Sequence, residues 1–299
     1  MRILVTGREG QVTRALQRAA RGEVIVHARG RPELDVIDRA SIDRAIAGFC
    51  PDILVNAAAY TAVDKAENDE ANAFAVNSLG AGKAAAAAAA AGIPIIHLST
   101  DYVFSGNKSA AYREEDQPQP INAYGRSKLA GEHAVAVANP AHVILRTSWV
   151  YSPWGSNFAR TMLRLATEHN RVRVVGDQWG TPTYAPDIAD GILAVATRML
   201  EHANCEMWRG IFHMTAGGVT SWAGFAEAIF ATSAASGGPS AVVEPITTSE
   251  FPTRARRPAS SLLDNGKYQS TFAAALPDWQ AGVRRCVAEL CTWEGISKA

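Results

Sequence analysis

Tyr124 and Lys128, in the segment Tyr124-Gly125-Arg126-Ser127-Lys128, are the residues whose types and spacing most directly suggest chemistry. On a helix, positions i and i+4 share a face, so the ammonium can approach the phenol. An unperturbed tyrosine has a pKa of about 10, too high for efficient proton exchange near neutrality. A nearby positive charge favours phenolate and lowers that value. Tyr124 could then protonate a carbonyl oxygen as hydride reaches its carbon. The spacing alone is also met by an ordinary surface helix pair. Three features lift it above chance. A strand ending Ser99-Thr100-Asp101 precedes the pair and would bring hydroxyls to the edge of a sheet. The stretch from Thr100 to Tyr124 leaves room for a loop that returns to the site. Asn56-Ala57-Ala58-Ala59 closes another strand with small residues, as a nicotinamide lying close to backbone requires.

A dinucleotide needs a phosphate cradle. Gly7-Arg8-Glu9-Gly10-Gln11-Val12-Thr13 directly follows the first apolar run, with Gly7 for a tight turn and Gly10 for close approach of a pyrophosphate to a helix N-terminus. Thr13 replaces the third glycine of the fingerprint and should hold the helix slightly further from the strand. The second strand ends Val26-His27-Ala28-Arg29-Gly30-Arg31, with no acid before Glu33 to take a ribose 2′-hydroxyl. Arg29 and Arg31 could instead pair with a 2′-phosphate, which favours NADPH over NADH; the other reading is two solvated arginines.

Positioning these groups requires alternating elements. Arg2–Thr6, 23–28, 52–58, 93–100 and 142–148 read as strands, several continuously apolar as in strands covered on both faces. Gln11–Ala20, 41–49, 71–91 and 127–137 read as helices; the alanine run 84–91 is expected to be a thin helix close to the sheet, stopped by Gly92. The alternation predicts an α/β doubly wound parallel sheet, with ligands at the carboxyl ends of its strands. After residue 150 the pattern changes, with Trp154, Trp179 and Trp208 and Gly/Pro-rich connections. We expect a cofactor domain over 1–150 and a mainly substrate-binding domain over 151–299, with some later segments returning to the first sheet. Residues 233–240 read as a loop. The basic connection carrying Arg254, Arg256 and Arg257 is either solvated or a holder of pyrophosphate.

Composition narrows the function classes. The chain has 299 residues, 47% apolar and 19% charged, and its 29 Lys+Arg balance 29 Asp+Glu. That balance provides no electrostatic footprint for nucleic acid or an anionic membrane. No apolar run reaches transmembrane length, and the start reads directly into a strand without signal-peptide segments, so a cytoplasmic protein is expected. Cys50, Cys205, Cys286 and Cys291 form no C-x-x-C pair and are expected as reduced, buried small hydrophobes.

Taken together, the segments resemble the dTDP-4-dehydrorhamnose reductase family almost end to end. The carrying stretches are 7–12, Leu34-Asp35-Val36, 55–67, 99–104, Tyr124–Lys128, Leu129-Ala130-Gly131-Glu132, 146–151, Asn157-Phe158, 177–183 and Arg256-Arg257-Pro258. The resemblance implies a modified Rossmann fold with a smaller α/β substrate-binding domain. It further implies reduction of the C4 keto group of dTDP-4-dehydro-6-deoxy-L-mannose by NAD(P)H to give dTDP-L-rhamnose. Thr100, Tyr124 and Lys128 match the catalytic threonine, tyrosine and lysine. Asp101 and Trp149, with Thr100, match substrate contacts, and Arg257 is added as a phosphate holder. Gly10, Gln11, Val12, Asp35, Val36, Ala59, Tyr60 and Thr61 match cofactor contacts. Gly30 stands where many relatives carry an acid near the adenosine ribose. Some relatives form homodimers through Mg²⁺ held by acids, one on the first helix; the matching position here is Ala15.

Competing reactions have discriminating residues. A nucleotide-sugar dehydratase resembling this chain has a glutamate after the threonine and aspartate, where Tyr102 stands. An epimerase-reductase needs a Cys or His acid/base pair at the sugar; no cysteine lies near the catalytic segments, and His97 reads as structural. A non-catalytic NADP-binding regulatory subunit, or a reductase of another nucleotide 4-keto-6-deoxysugar, is the remaining alternative. An intact Thr100, Tyr124 and Lys128 set argues against the subunit.

Overall fold

The computed structural model describes residues 1–203 and 206–293. The first half builds β1 (Arg2–Thr6), α1 (Gln11–Ala19), β2 (Ile25–Arg29), α2 (Arg39–Phe49) and β3 (Ile53–Asn56). Two short helices follow, α3 (Val63–Ala66) and α4 (Glu70–Phe74), then a π-helical turn (Ala75–Gly80) and α5 (Ala81–Ala90). Next come β4 (Ile95–Thr100), α6 (Ala123–Ala138) and β5 (His142–Thr147). The second half contains β6 (Val150–Tyr151), α7 (Phe158–Glu168), β7 (Arg171–Val175), β8 (Trp179–Gly180), β9 (Thr183–Tyr184) and α8 (Ala185–Glu201). It continues with β10 (Gly210–His213), β11 (Thr220–Ser221), α9 (Trp222–Ala235), β12 (Val242–Ile246), α10 (Gly266–Phe272) and α11 (Trp279–Trp293).

Six parallel strands form the main sheet in the order β10-β5-β4-β3-β1-β2. The continuous apolar runs follow from coverage of both faces. Ile3, Val5, Ile53, Val55, Val143 and Leu145 pack with residues of α1 and α8, whereas Leu4, Leu54, Ile95 and Ile144 pack against α2, α5 and α6. Alternate side chains of one strand thus enter different cores. The alanine helix is thin as expected: Ala84, Ala85, Ala87 and Ala88 are buried under the sheet. A second core gathers Tyr151, Tyr184 and residues of α7, α9 and α11 with the parallel pair β7–β12. Elements after residue 150 contribute to both cores, because β10 pairs with β5 and α8 covers α1.

Four readings change. The single helix expected over 71–91 is interrupted by the π turn. The loop expected over 233–240 begins later, because α9 runs through Ala235 and buries Ser233. The catalytic helix begins at Ala123 rather than 127, since Asn122 caps it by accepting from the Gly125 amide. Among the cysteines, Cys286 is buried and Cys291 intermediate, but Cys50 is exposed. Cys50 takes a left-handed cap conformation at the end of α2, where the chain turns at the surface. Cys205 lies outside the described residues. No helix among the described residues is long and apolar enough to cross a membrane.

Candidate active site

The sheet reverses its winding between β1, which neighbours β2, and β3 on its other side. Strand ends diverge at such a switch point and leave a crevice. Here a cleft of about 690 Å³ opens there, bordered by Gly7 and Gly10, Gly30 and Arg31, Asp35 and Val36, and Ala57 to Tyr60. Its size suits a small-molecule site. Gly7 adopts φ +95°, a conformation that only glycine takes cheaply, and this turns the chain from β1 into α1. Gly10 caps α1 with no side-chain hydrogen bond, leaving amides of the first turn for an anionic group. These features fit a dinucleotide pyrophosphate.

The tyrosine and lysine come from α6, which the sequence brings unusually close to the turn after β4. A Cβ on Gly125 would collide with the Tyr102 carbonyl, so only glycine allows this approach. Thr100, at the end of β4, donates to Asp101 Oδ1 at 2.9 Å and lies beside the Tyr124 hydroxyl. Burial pushes the Tyr124 phenol up to about 12, against the lowering influence of the neighbouring Thr100. Lys128 is only 3% exposed, and its Nζ donates to the Leu98 carbonyl at 2.6 Å. Burial lowers its pKa to about 8 against the pull of the Glu132 carboxylate. The expected lowering of the phenol by Lys128 is therefore corrected. The ammonium bonds the strand carbonyl, and desolvation of the hydroxyl dominates. At neutral pH Tyr124 is a loaded proton donor. Asp101 is also enclosed, and burial raises its carboxyl to about 6, moderated by Ser261 and Thr100.

Tyr60 connects the two regions: it lines the cleft and packs with Tyr124 around Ala66, Ala73 and Ala123. On the far side, Trp149 stacks on Trp222 with ring centroids 3.5 Å apart and planes within 5°. Its backbone has φ +47°, a strained value for a bulky residue, which marks a position held by its surroundings. Arg257 forks onto Asp64 (Nη2 to Oδ2 2.6 Å, Nη1 to Oδ1 3.2 Å) and lies near Tyr102. The basic connection is thus tied to the catalytic side of the sheet.

Several expected cofactor residues are placed differently. Arg29 does not border the cleft; it lines a separate depression with His27, Arg44 and Phe49 on the α2 side. Strand alternation explains this, since His27 and Arg29 share a face and His27 stacks on Phe49. The Gln11 side chain turns away to accept from Ser152 Oγ and Asn157 Nδ2, so only its backbone remains for a phosphate. Val12 is buried in the core, and Thr61 is exposed outside the cleft lining. Thr13 is buried, with a hydroxyl lacking a protein partner.

Other residues were not singled out from sequence. Arg8 borders the cleft beside Gly30, whose Cβ position lies 3.0 Å from the Arg8 amide. Its place inside the glycine turn was the available signal. Asn77, in the π turn, accepts from the Tyr60 amide at 2.8 Å and donates to the Tyr60 carbonyl at 3.0 Å and to Ser127 at 2.9 Å. It thereby joins the cleft floor to α6. No local pattern announces that role, because a polar residue within an alanine-rich helix reads as solvated.

A phosphate cradle at the switch point, a protonated phenol and a neighbouring lysine define an oxidoreductase of the extended short-chain dehydrogenase type. The family model described as RmlD substrate binding domain matches residues 1–292. The chain is 49% identical over 287 residues to the dTDP-4-dehydrorhamnose reductase of Sinorhizobium fredii, covering 96% of this chain and 97% of the relative. It is 42% identical to the Escherichia coli K12 protein of that name, over 99% of this chain and 100% of the relative. The crystal structure of dTDP-4-dehydrorhamnose reductase from Bacillus anthracis in complex with NADP superposes with a TM-score of 0.89 at 33% identity, covering 96% of this chain and 99% of that one. The chain belongs to the dTDP-4-dehydrorhamnose reductase family.

Proposed function

We propose that this protein reduces the C4 keto group of dTDP-4-dehydro-6-deoxy-L-mannose with NAD(P)H, giving dTDP-L-rhamnose. The observation that carries the reading is the placement of the Tyr124 hydroxyl beside Thr100, with its ring packed at the Tyr60 edge of the cleft. Bound along the cleft, a reduced nicotinamide supplies the hydride. The residues of the chain do the rest. Gly7, Gly10 and the amides of α1 hold the pyrophosphate. Asp35, Val36 and the 57–60 backbone form the walls, and Arg31 with Arg8 faces the adenosine end. Thr100 orients the Tyr124 hydroxyl, which releases its proton to the C4 oxygen as that carbon is reduced, so that the product is the alcohol. Lys128, one helical turn from Tyr124, is assigned to the nicotinamide ribose. Trp149 and Asp101 are assigned to the sugar and Arg257 to the phosphates of the substrate.

Residues 1–150 are assigned chiefly to the cofactor and 151–299 chiefly to the substrate. NADPH is proposed as the preferred cofactor, with NADH accepted, because Gly30 presents no carboxylate to a 2′-phosphate. Alanine at position 15 brings no acid to the place at which some relatives hold Mg²⁺, and no metal role is proposed. NADPH oxidation with dTDP-4-dehydrorhamnose tests the function. Turnover with this sugar, faster than with other nucleotide 4-keto-sugars, is the expected result. Tight NADPH binding without turnover would point to a regulatory subunit, and preference for another sugar to a different reductase.

A further inference from the structure

Two segments have so far no part in the chemistry: Leu129-Ala130-Gly131-Glu132 on α6 and Arg146-Thr147-Ser148 at the end of β5. The fold brings their charges together under the catalytic helix. Glu132 and Arg146 are each only 1% exposed. The guanidinium forks onto the carboxylate, with Nε to Oε1 at 2.9 Å and Nη2 to Oε2 at 2.7 Å. Ser99 Oγ donates to Oε1 at 2.5 Å. The β4–β5 register sets Ser99 opposite Arg146, so both strands deliver their donors to one carboxylate. Lys128 lies one helical turn before Glu132 and hence on the same face.

The charge balance of this enclosed region is uneven: Glu132 is the carboxylate beside two buried cations and pairs with Arg146, while Lys128 bonds the carbonyl of Leu98, the strand residue next to Ser99. The other titratable groups that face it carry no compensating charge. His97, on β4, accepts from Asn56 and is held neutral by burial and by Lys128. His213, on β10, faces Arg146 at 3.4 Å and is likewise held neutral, by burial and by Arg146. Tyr124 is protonated, and Asp101 lies beyond it on the side of Thr100.

We propose that Glu132 is a positioning residue for Lys128: its carboxylate keeps the ammonium charged, and Arg146 sets how much of that carboxylate's field Lys128 receives. A buried lysine with no counter-charge loses its proton well below its ordinary value, and the Glu132 carboxylate opposes that loss. Ser99 and Arg146 hold the carboxylate still. Arg146 also competes for it, so the two charged partners of the ion pair act on Lys128 with opposite sign.

The inference rests on the reductase reading only in its kinetic consequence, so the test reads the lysine itself. The Lys128 13Cε resonance is followed against pH in full-length, lysine-labelled protein, with Lys128→Met providing the assignment. The wild-type midpoint is expected near 8. Glu132→Gln should lower it by about one unit, and Arg146→Gln should raise it by a similar amount. Should Glu132→Gln fail to fold, the Glu132→Gln/Arg146→Gln double variant is compared with Arg146→Gln, and its midpoint must again be the lower. Midpoints that do not move, or that move in the same direction in both single variants, overturn the proposal. In the kinetic arm, the basic limb of kcat/KM against pH should follow the same directions. Absence of wild-type turnover would refute the function but leave the titration standing.

Discussion

Replacing Arg8 by alanine should lower the preference for NADPH over NADH about fivefold. Arg8 borders the cleft beside Gly30, where the second strand hands over to the adenosine end. A charge-assisted contact to phosphate is worth about 1.5–3 kcal/mol when desolvated. Arg8 falls short of that value. Its side chain is 48% exposed, and it already faces Glu33 and Glu9, each at 3.6 Å. Solvent-exposed pairs of this kind return about 0.2–1 kcal/mol each, and a 2′-phosphate must displace them. About 1 kcal/mol remains, or roughly a fivefold selectivity. Arg31→Ala should have an effect of similar size. Arg29→Ala is the control and should leave the ratio within about twofold, because its side chain faces α2. The assay is kcat/KM for both cofactors with the same keto-sugar. Because exposed charges are screened, the Arg8 contribution should also shrink in salt of about 0.5 M. A ratio unchanged in Arg8→Ala and Arg31→Ala but lost in Arg29→Ala would refute the assignment and return the 2′-phosphate to the strand end.

Tyr124→Phe removes the proton donor but keeps the ring, so turnover should fall by about 10²- to 10⁴-fold while NADPH affinity, read by fluorescence titration, changes little. Gly180→Ala places a Cβ 2.5 Å from the Trp149 indole, which must leave its stack on Trp222. Overpacking of this kind typically costs about 1–3 kcal/mol, so we expect a lower urea midpoint and a raised KM for the sugar with KM for NADPH unaffected. Asp101 titrates higher in the folded protein, at about 6, than in an unfolded chain. Its contribution to stability is therefore fully present below about pH 4 and lost as pH rises through 6. A shift of about two units corresponds to on the order of 3 kcal/mol. Asp101→Asn should remove that slope in urea unfolding between pH 4 and 7; an identical slope in both proteins would show that other groups cause it.

The fold and the catalytic group could be read from sequence because the forces behind them are local or periodic. Continuous apolar runs at β1, β3, β4 and β5 require coverage on two faces, and the glycine turn after β1 requires a particular backbone. Tyr124 and Lys128 are separated by a single helical turn, so one helix suffices to bring them together. Where each side chain points was decided by tertiary contacts. Arg29 was assigned from its place at a strand end, but the stack of His27 on Phe49 shows which face that position presents. Gln11 reads as a phosphate contact until the 150–157 loop arrives, some 140 positions later, and takes its amide. Lys128 reads as the partner of Tyr124 until β4 offers it a carbonyl. The charge cluster joins Glu132, Arg146 and Ser99, which come from a helix and two strands. Chain segments far apart in sequence determine desolvation and charge balance, and these set the protonation of Tyr124, Lys128 and Asp101. Local spacing specifies which groups can meet, and packing decides which protons they hold.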